Sequence, residues 1–164
     1  MPRVATSREN PLDDGRQSAA ALEIARGVAR LLAQHGLRAI PEVALPNGRR
    51  ADLMAVCERG TIAIVEVKSS LADFRADQKW PEYRAFCDRL YFAVAPTFPR
   101  EVLPEDVGIL LADRWGGEML REAPEHALAG ARRKATLLRF ARIAAGRLMT
   151  LADPEKAFEP LPPE

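Results

Sequence analysis

Residues 51–68 read ADLMAVC, then Glu58-Arg59-Gly60, then TIAIVEVK. Two apolar runs of strand length, separated by three residues ending in Gly, predict a β-hairpin, because Gly at the third loop position readily takes the left-handed conformation of a G1-bulge turn. If Cys57 faces Thr61 across the loop, counting outward sets Val56 opposite Ile62, Met54 opposite Ile64 and Asp52 opposite Glu66. Opposed residues share a face, as do residues two apart on a strand, so Asp52, Glu66 and Lys68 project from one side. The remaining positions are apolar on both faces: Met54, Val56, Ile62 and Ile64 on one, Leu53, Ala55, Ala63, Val65 and Val67 on the other. That pattern predicts a central strand pair buried on both sides, with three charges at one end.

Charges at the end of a buried hairpin need a partner, because an uncompensated carboxylate there costs on the order of several kcal/mol. A divalent cation is one such partner. Directly opposed β-carbons stand about 4.5 to 5.5 Å apart, which lets two carboxylates reach one small hard ion. Mg²⁺ accepts oxygen ligands at about 2.0 to 2.1 Å and keeps several waters. The alternative is an ion bridge in which Lys68 pairs with Asp52 or Glu66. An aspartate in register across an apolar hairpin favours the metal site.

Asp, a hairpin, then Glu-x-Lys on the next strand resembles the catalytic core of the PD-(D/E)XK nuclease superfamily. The wording of residues 49–94, with RRADLMAV and IVEVKSSLADFRADQKWPEYRAFCDRLYFAVA, resembles the MmcB family of bacterial DNA-repair proteins, over roughly residues 20–150. The resemblance implies a restriction-endonuclease-like α/β fold, a central mixed β-sheet flanked by helices. It also implies that Asp52 and Glu66 carry Mg²⁺ or Mn²⁺ while Lys68 positions or activates the attacking water. The backbone carbonyl of Val67 is expected as a further metal ligand. The proline of the superfamily signature is absent, with Ala51 in its place. By the same resemblance Glu23 of the first helix is an outer ligand, or else an exposed helix glutamate. Gln78, Lys79 and Tyr83, following the metal strand, are accessory residues for phosphate or water. Asp77 is expected as a helix cap and Trp80 and Phe86 as core anchors.

The 164 residues suffice for one domain, and 48 % hydrophobic with 29 % charged residues is an ordinary globular composition. A net charge of +1 gives no global basic field, so an argument for nucleic acid rests on where the charges sit. Cys57 and Cys87 are widely separated and belong to no Cys/His cluster, which reads as reduced thiols. No signal-peptide core and no membrane-length apolar run occurs, so a cytoplasmic protein without membrane contact is expected. Residues 1–16 and 153–164 are polar and proline-bearing and read as mobile tails around a domain at 17–152.

Within the domain, residues 19–35 predict a helix with Leu22, Ala25, Val28, Ala29 and Leu32 as its apolar stripe and Gly36 as its cap. Residues 37–45 predict a strand that Pro41 confines to an edge; Glu42 on it either points toward the site or is a surface carboxylate. Ser69 and Ser70 open a polar connection, 78–87 a helix with Pro81 in its first turn, and 90–95 and 107–112 buried strands. Residues 118–121 follow as a short strand after Trp115-Gly116-Gly117. The last helix, 131–149, holds six cations and no acidic residue. Leu137, Phe140, Ala141, Ala144 and Leu148 are its expected packing stripe, with Arg132, Arg139 and Arg142 on another side as a DNA-backbone contact or a solvated face. The combined expectation is a metal-dependent nuclease acting on DNA in repair, its specificity drawn from DNA shape or from a repair-protein partner. The competing expectation is a DNA- or partner-binding module of the same fold without turnover.

Overall fold

The computed structural model describes residues 15–156. The expected tails at 1–16 and 153–164 lie outside these residues except for 15–16 and 153–156. Helix α1 (Ala19–Gln34) leads into β1 (Leu37–Ala44), β2 (Arg50–Cys57) and β3 (Ile62–Lys68). A short helix α2 (Leu71–Ala76) and a 3₁₀ segment (Trp80–Phe86) connect to β4 (Arg89–Val94). Strands β5 (Gly108–Ala112) and β6 (Gly117–Arg121) precede the terminal helix α3 (Gly130–Ala152). The six strands form one sheet in sequence order, with β3, β4 and β5 mutually parallel and the other neighbours antiparallel. This is the mixed α/β sheet flanked by helices that the sequence predicts.

The hairpin has the expected register: Val56 pairs with Ile62, Met54 with Ile64 and Leu53 with Val65. Gly60 sits at φ +79°, where its missing Cβ removes the steric penalty, and its N–H closes the turn on the Cys57 carbonyl at 2.9 Å. Every residue of β3 is buried. Its alternating side chains feed two cores. Met54, Ile62, Ile64, Phe92 and Val94 pack under the 3₁₀ segment and α3, while Leu53, Val65, Val67, Tyr91 and Leu110 pack under α1.

Three expectations are corrected. The α1 stripe is Ile24, Gly27, Val28, Leu31 and Leu32, with Leu22 left 37 % exposed. Gly27 sets that rotation, since a Cβ there would stand 1.8 Å from the Asp113 carbonyl oxygen in the β5–β6 turn. The connection after β3 contains α2, nucleated by Ser70, whose hydroxyl accepts the Asp73 N–H at 3.1 Å. The helix expected over 78–87 is the tighter 3₁₀ segment, with Trp80 edge-on to Phe92 at 5.3 Å between centroids. Among the described residues no helix is long and apolar enough to cross a membrane.

The edge strand β1 carries a local anomaly at Glu42, whose φ of +53° is the only positive value at a described non-glycine residue. Flanking pairs Pro41–Leu53 and Val43–Ala51 hold the ladder on either side, so the distortion is confined to the position facing Asp52. A left-handed non-glycine residue costs about 1 to 3 kcal/mol and persists where its surroundings over-determine it.

Candidate active site

Asp52 of β2 and Glu66 of β3 lie just beyond the Leu53–Val65 pair, and the two side chains replace the last rungs of the ladder. Asp52 Oδ2 accepts the Val67 N–H at 2.8 Å, and the Asp52 N–H donates to Glu66 Oε1 at 3.2 Å. Glu66 is 4 % exposed. Burial pushes the Asp52 carboxyl up from its ordinary range, against the Val67 N–H and the Lys68 charge that pull it down. Burial, and then the adjacent Asp52 charge, hold Glu66 well above the usual carboxylate range. The hairpin thus places two acidic side chains in one low-dielectric corner, as the register predicts.

Lys68 shares the corner without forming the alternative ion bridge to Asp52 or Glu66. Its Nζ donates to Asp77 Oδ2 at 2.6 Å, not to Asp52 or Glu66. Burial lowers the ammonium pKa, and the Asp77 hydrogen bond together with the Asp77 and Glu66 charges outweighs it, so Lys68 is raised and stays protonated. Asp77 is not the expected N-cap: it ends α2, the N-cap position of the 3₁₀ segment is Lys79, and Asp77 Oδ1 accepts the Lys79 N–H at 2.9 Å in the connecting turn. Its second role, holding Lys68, has no signal in the sequence because it depends on α2 folding back over the end of β3.

The chain just before α1 supplies a residue that the sequence reading missed. Gln17 Nε2 donates to Asp52 Oδ1 at 3.1 Å and to Glu42 Oε1, bridging the two carboxylates. Glu42, its side chain 13 % exposed, also pairs with Arg50 Nε at 2.6 Å, so of its two readings the site-facing one holds. Tyr83 reaches the same cleft, where its hydroxyl donates to the Arg50 carbonyl at 3.0 Å, and burial raises its pKa. The cleft has a volume of about 440 Å³ and is lined by Arg16, Gln17, Arg50, Asp52, Glu66, Lys68, Asp73 and Tyr83 among others. Arg16, expected in a mobile tail, belongs to this wall.

Other expected residues lie elsewhere. Glu23 is outward on α1, 55 % exposed and 3.9 Å from Arg114. Gln78 turns back to the Arg75 carbonyl at 2.9 Å, and Lys79 is exposed outside the cleft lining. Helix α3 spends much of its basic character inward. Arg133 grips buried Asp88 with both guanidinium nitrogens at 2.6 Å. Arg139, 7 % exposed, donates to the Ala44 carbonyl, and Arg147 to those of Pro41 and Glu42. Arg139 is therefore removed from the expected DNA-facing set. Arg132 stacks over Phe86 at 4.9 Å, and Arg142 is exposed. The packing stripe is correspondingly Leu137, Phe140 and Ile143, whereas Leu148 is 67 % exposed. Among the described residues no three His, Cys, Asp or Glu side chains form a ready-made metal cage.

Comparison with curated proteins finds no match. A solved structure, a protein of unknown function from Silicibacter pomeroyi, matches with a TM-score of 0.82 and 45 % identity over 87 % of this chain and 97 % of that one. The family model described as DNA repair protein MmcB-like matches residues 8–155. With nearly the whole domain inside that match, the chain belongs to the MmcB-like family of DNA repair proteins.

Proposed function

We propose that the protein is a metal-dependent nuclease that hydrolyses phosphodiester bonds in DNA during repair. The observation that carries this reading is the meeting of Asp52 and Glu66 at the open end of a buried hairpin, away from its turn and facing a cleft, while the nearest lysine is anchored to a third carboxylate. Two crowded carboxylates in a dry corner are unfavourable without a cation.

The donor set fits Mg²⁺ or Mn²⁺: hard oxygens from Asp52 and Glu66, with the Val67 carbonyl beside them, in an open cleft that leaves room for the waters such ions retain. When bound, the ion supplies charge neutralisation for a phosphate and a more acidic water. This chain's residues do the positioning. Gln17 fixes the rotamer of Asp52, and the Val67 N–H holds its second oxygen. Asp77 keeps Lys68 protonated and aimed along the end of β3, where its ammonium stabilises negative charge developing on a phosphate. Tyr83 pins the backbone of Arg50 at the cleft wall.

A binding module without turnover is the second reading, favoured by the engagement of Lys68 with Asp77, which holds the ammonium in an ion pair. One screen separates the two: cleavage of single-stranded, duplex, flap and junction DNA with Mg²⁺ and Mn²⁺. Cutting of at least one substrate by wild type, lost in Asp52→Ala, supports the nuclease. Binding of DNA with no cutting by wild type in either metal supports the module.

A further inference from the structure

Trp115, at 72 % exposure, is the most exposed large apolar side chain among the described residues. The turn carrying it is firmly built. Asp113 Oδ1 accepts the N–H groups of Trp115 at 2.8 Å and Gly116 at 3.2 Å, and the Asp113 N–H closes on the Gly116 carbonyl at 2.9 Å. From α1, Arg30 Nη1 donates to the carbonyls of Arg114 at 3.2 Å and Trp115 at 3.1 Å. Gly27 lets the helix and the turn approach to a distance that no side chain would permit. An indole held in water by a rigid turn loses little entropy when something stacks on it.

The indole is also prepared on one side. The Arg114 guanidinium lies 5.1 Å from the ring centroid, a cation–π contact that leaves the other face open. Arg30 of α1 bonds the carbonyls of the turn and Arg114 stacks on the ring, with Glu23 of α1 3.9 Å from Arg114, so two guanidinium groups and one carboxylate stand beside the indole.

Position links this feature to the cleft. Lys68, Val94 and Leu111 are aligned across β3, β4 and β5, so the β5–β6 turn leaves the sheet at the same end of the parallel strands as Lys68. Ala21 lines the cleft and Gly27 backs the turn, a separation of about 9 Å along α1, or roughly three nucleotides at the 3.4 Å rise of a stacked strand.

We propose that Trp115, with Arg114 across its ring, is a stacking platform for an unpaired base of single-stranded DNA at the rim of the cleft. The choice of DNA rests on the functional reading above, but the platform needs no turnover. The test is fluorescence anisotropy of a short labelled oligothymidine and of a labelled duplex, in EDTA so that nothing is cut. Trp115→Ala weakens single-strand binding roughly 5- to 100-fold, Trp115→Phe much less, and neither changes duplex affinity or melting temperature. In a Trp80→Phe background the oligonucleotide quenches Trp115 fluorescence. Equal single-strand affinity in Trp115→Ala and wild type overturns the platform and returns the indole to a protein contact, leaving the nuclease reading intact. Equal weakening toward both DNAs also overturns it, as does failure of wild type to bind the single strand. Loss of cleavage in the metal screen alongside Trp115-dependent binding removes the nuclease reading and keeps the platform.

Discussion

Lys68 Nζ and Asp77 Oδ2 lie 2.6 Å apart, and the two ends of this pair are unequally buried: the lysine side chain is 6 % exposed and the aspartate 21 %. Removing either partner therefore has a different consequence. In Lys68→Met the stem packing is kept, and Asp77 retains the Lys79 N–H and access to water. In Asp77→Ala a nearly dry ammonium loses its hydrogen-bond acceptor. Loss of one partner of a fully buried pair costs about 3 to 5 kcal/mol, so Asp77→Ala should lose a substantial part of that and Lys68→Met about 1 kcal/mol. Chemical denaturation without metal measures both. In the cleavage assay Lys68→Met abolishes cutting while Mn²⁺ binding by calorimetry is unchanged. A Lys68→Met protein that cuts at the wild-type rate would remove Lys68 from the chemistry.

Acid stability should be governed in part by Asp88. Its carboxylate is buried and accepts the N–H groups of Ile62 at 2.8 Å and Leu128 at 2.9 Å besides the two Arg133 contacts, tying the hairpin to α3. Burial pushes its pKa up, but the Arg133 hydrogen bonds and the two backbone N–H groups outweigh that and hold it below the ordinary value. Its stabilising contribution is accordingly complete above the unfolded value of about 3.9 and is lost as pH falls through the lower folded value. Asp88→Asn should lower the melting temperature at neutral pH and flatten the acid limb. Parallel limbs in the two proteins over the acid range would place acid sensitivity elsewhere.

The hairpin was legible because its evidence is local: period-two burial, a glycine at the turn and a three-residue loop determine which residues face one another. Asp52 and Glu66 follow from that register alone. Gln17 and Glu42 meet across 25 residues, and the left-handed backbone of Glu42 answers to the packing of the edge strand, so neither has a local signature. In α3, composition reveals how many cations the helix carries and not where they point. Arg139 and Arg147 flank Phe140 and Ile143 at helical spacing, which could have marked them as inward; the sequence reading instead followed Leu148, which is exposed.

That correction separates Arg139 from Arg142. Arg139 is enclosed and bonded to the backbone of β1, so Arg139→Gln should lower stability by about 1 to 3 kcal/mol. It should leave the salt dependence of DNA affinity unchanged. Arg142 is exposed, and Arg142→Gln should leave stability within about 0.5 kcal/mol of wild type. If α3 touches the phosphate backbone through Arg142, each lost contact reduces the log–log salt slope by about 0.9 for duplex DNA. Denaturation curves and binding isotherms at several salt concentrations read out both residues. A changed salt slope in Arg139→Gln with unchanged stability would contradict the burial of its side chain.

Glu66→Gln distinguishes a metal site from a purely structural acid pair. The glutamine carbonyl can still accept the Asp52 N–H that Glu66 Oε1 accepts at 3.2 Å, so the shape of the hairpin's end survives. What disappears is one of two like charges in a buried corner, whose proximity is unfavourable in the absence of a cation. Without metal the variant should therefore melt at or above the wild-type temperature, whereas a carboxylate serving as a structural hydrogen-bond anchor would lower it. With Mn²⁺ the order reverses. An ion that binds only the folded state stabilises by about 2.7 kcal/mol at a hundredfold excess over its dissociation constant, so the wild-type melting temperature rises with added Mn²⁺ and that of Glu66→Gln stays nearly fixed. Melting curves of both proteins in EDTA and in graded Mn²⁺ provide the comparison. A variant that is destabilised in EDTA yet gains as much from Mn²⁺ as wild type would assign Glu66 to the scaffold and leave Asp52 without its partner ligand.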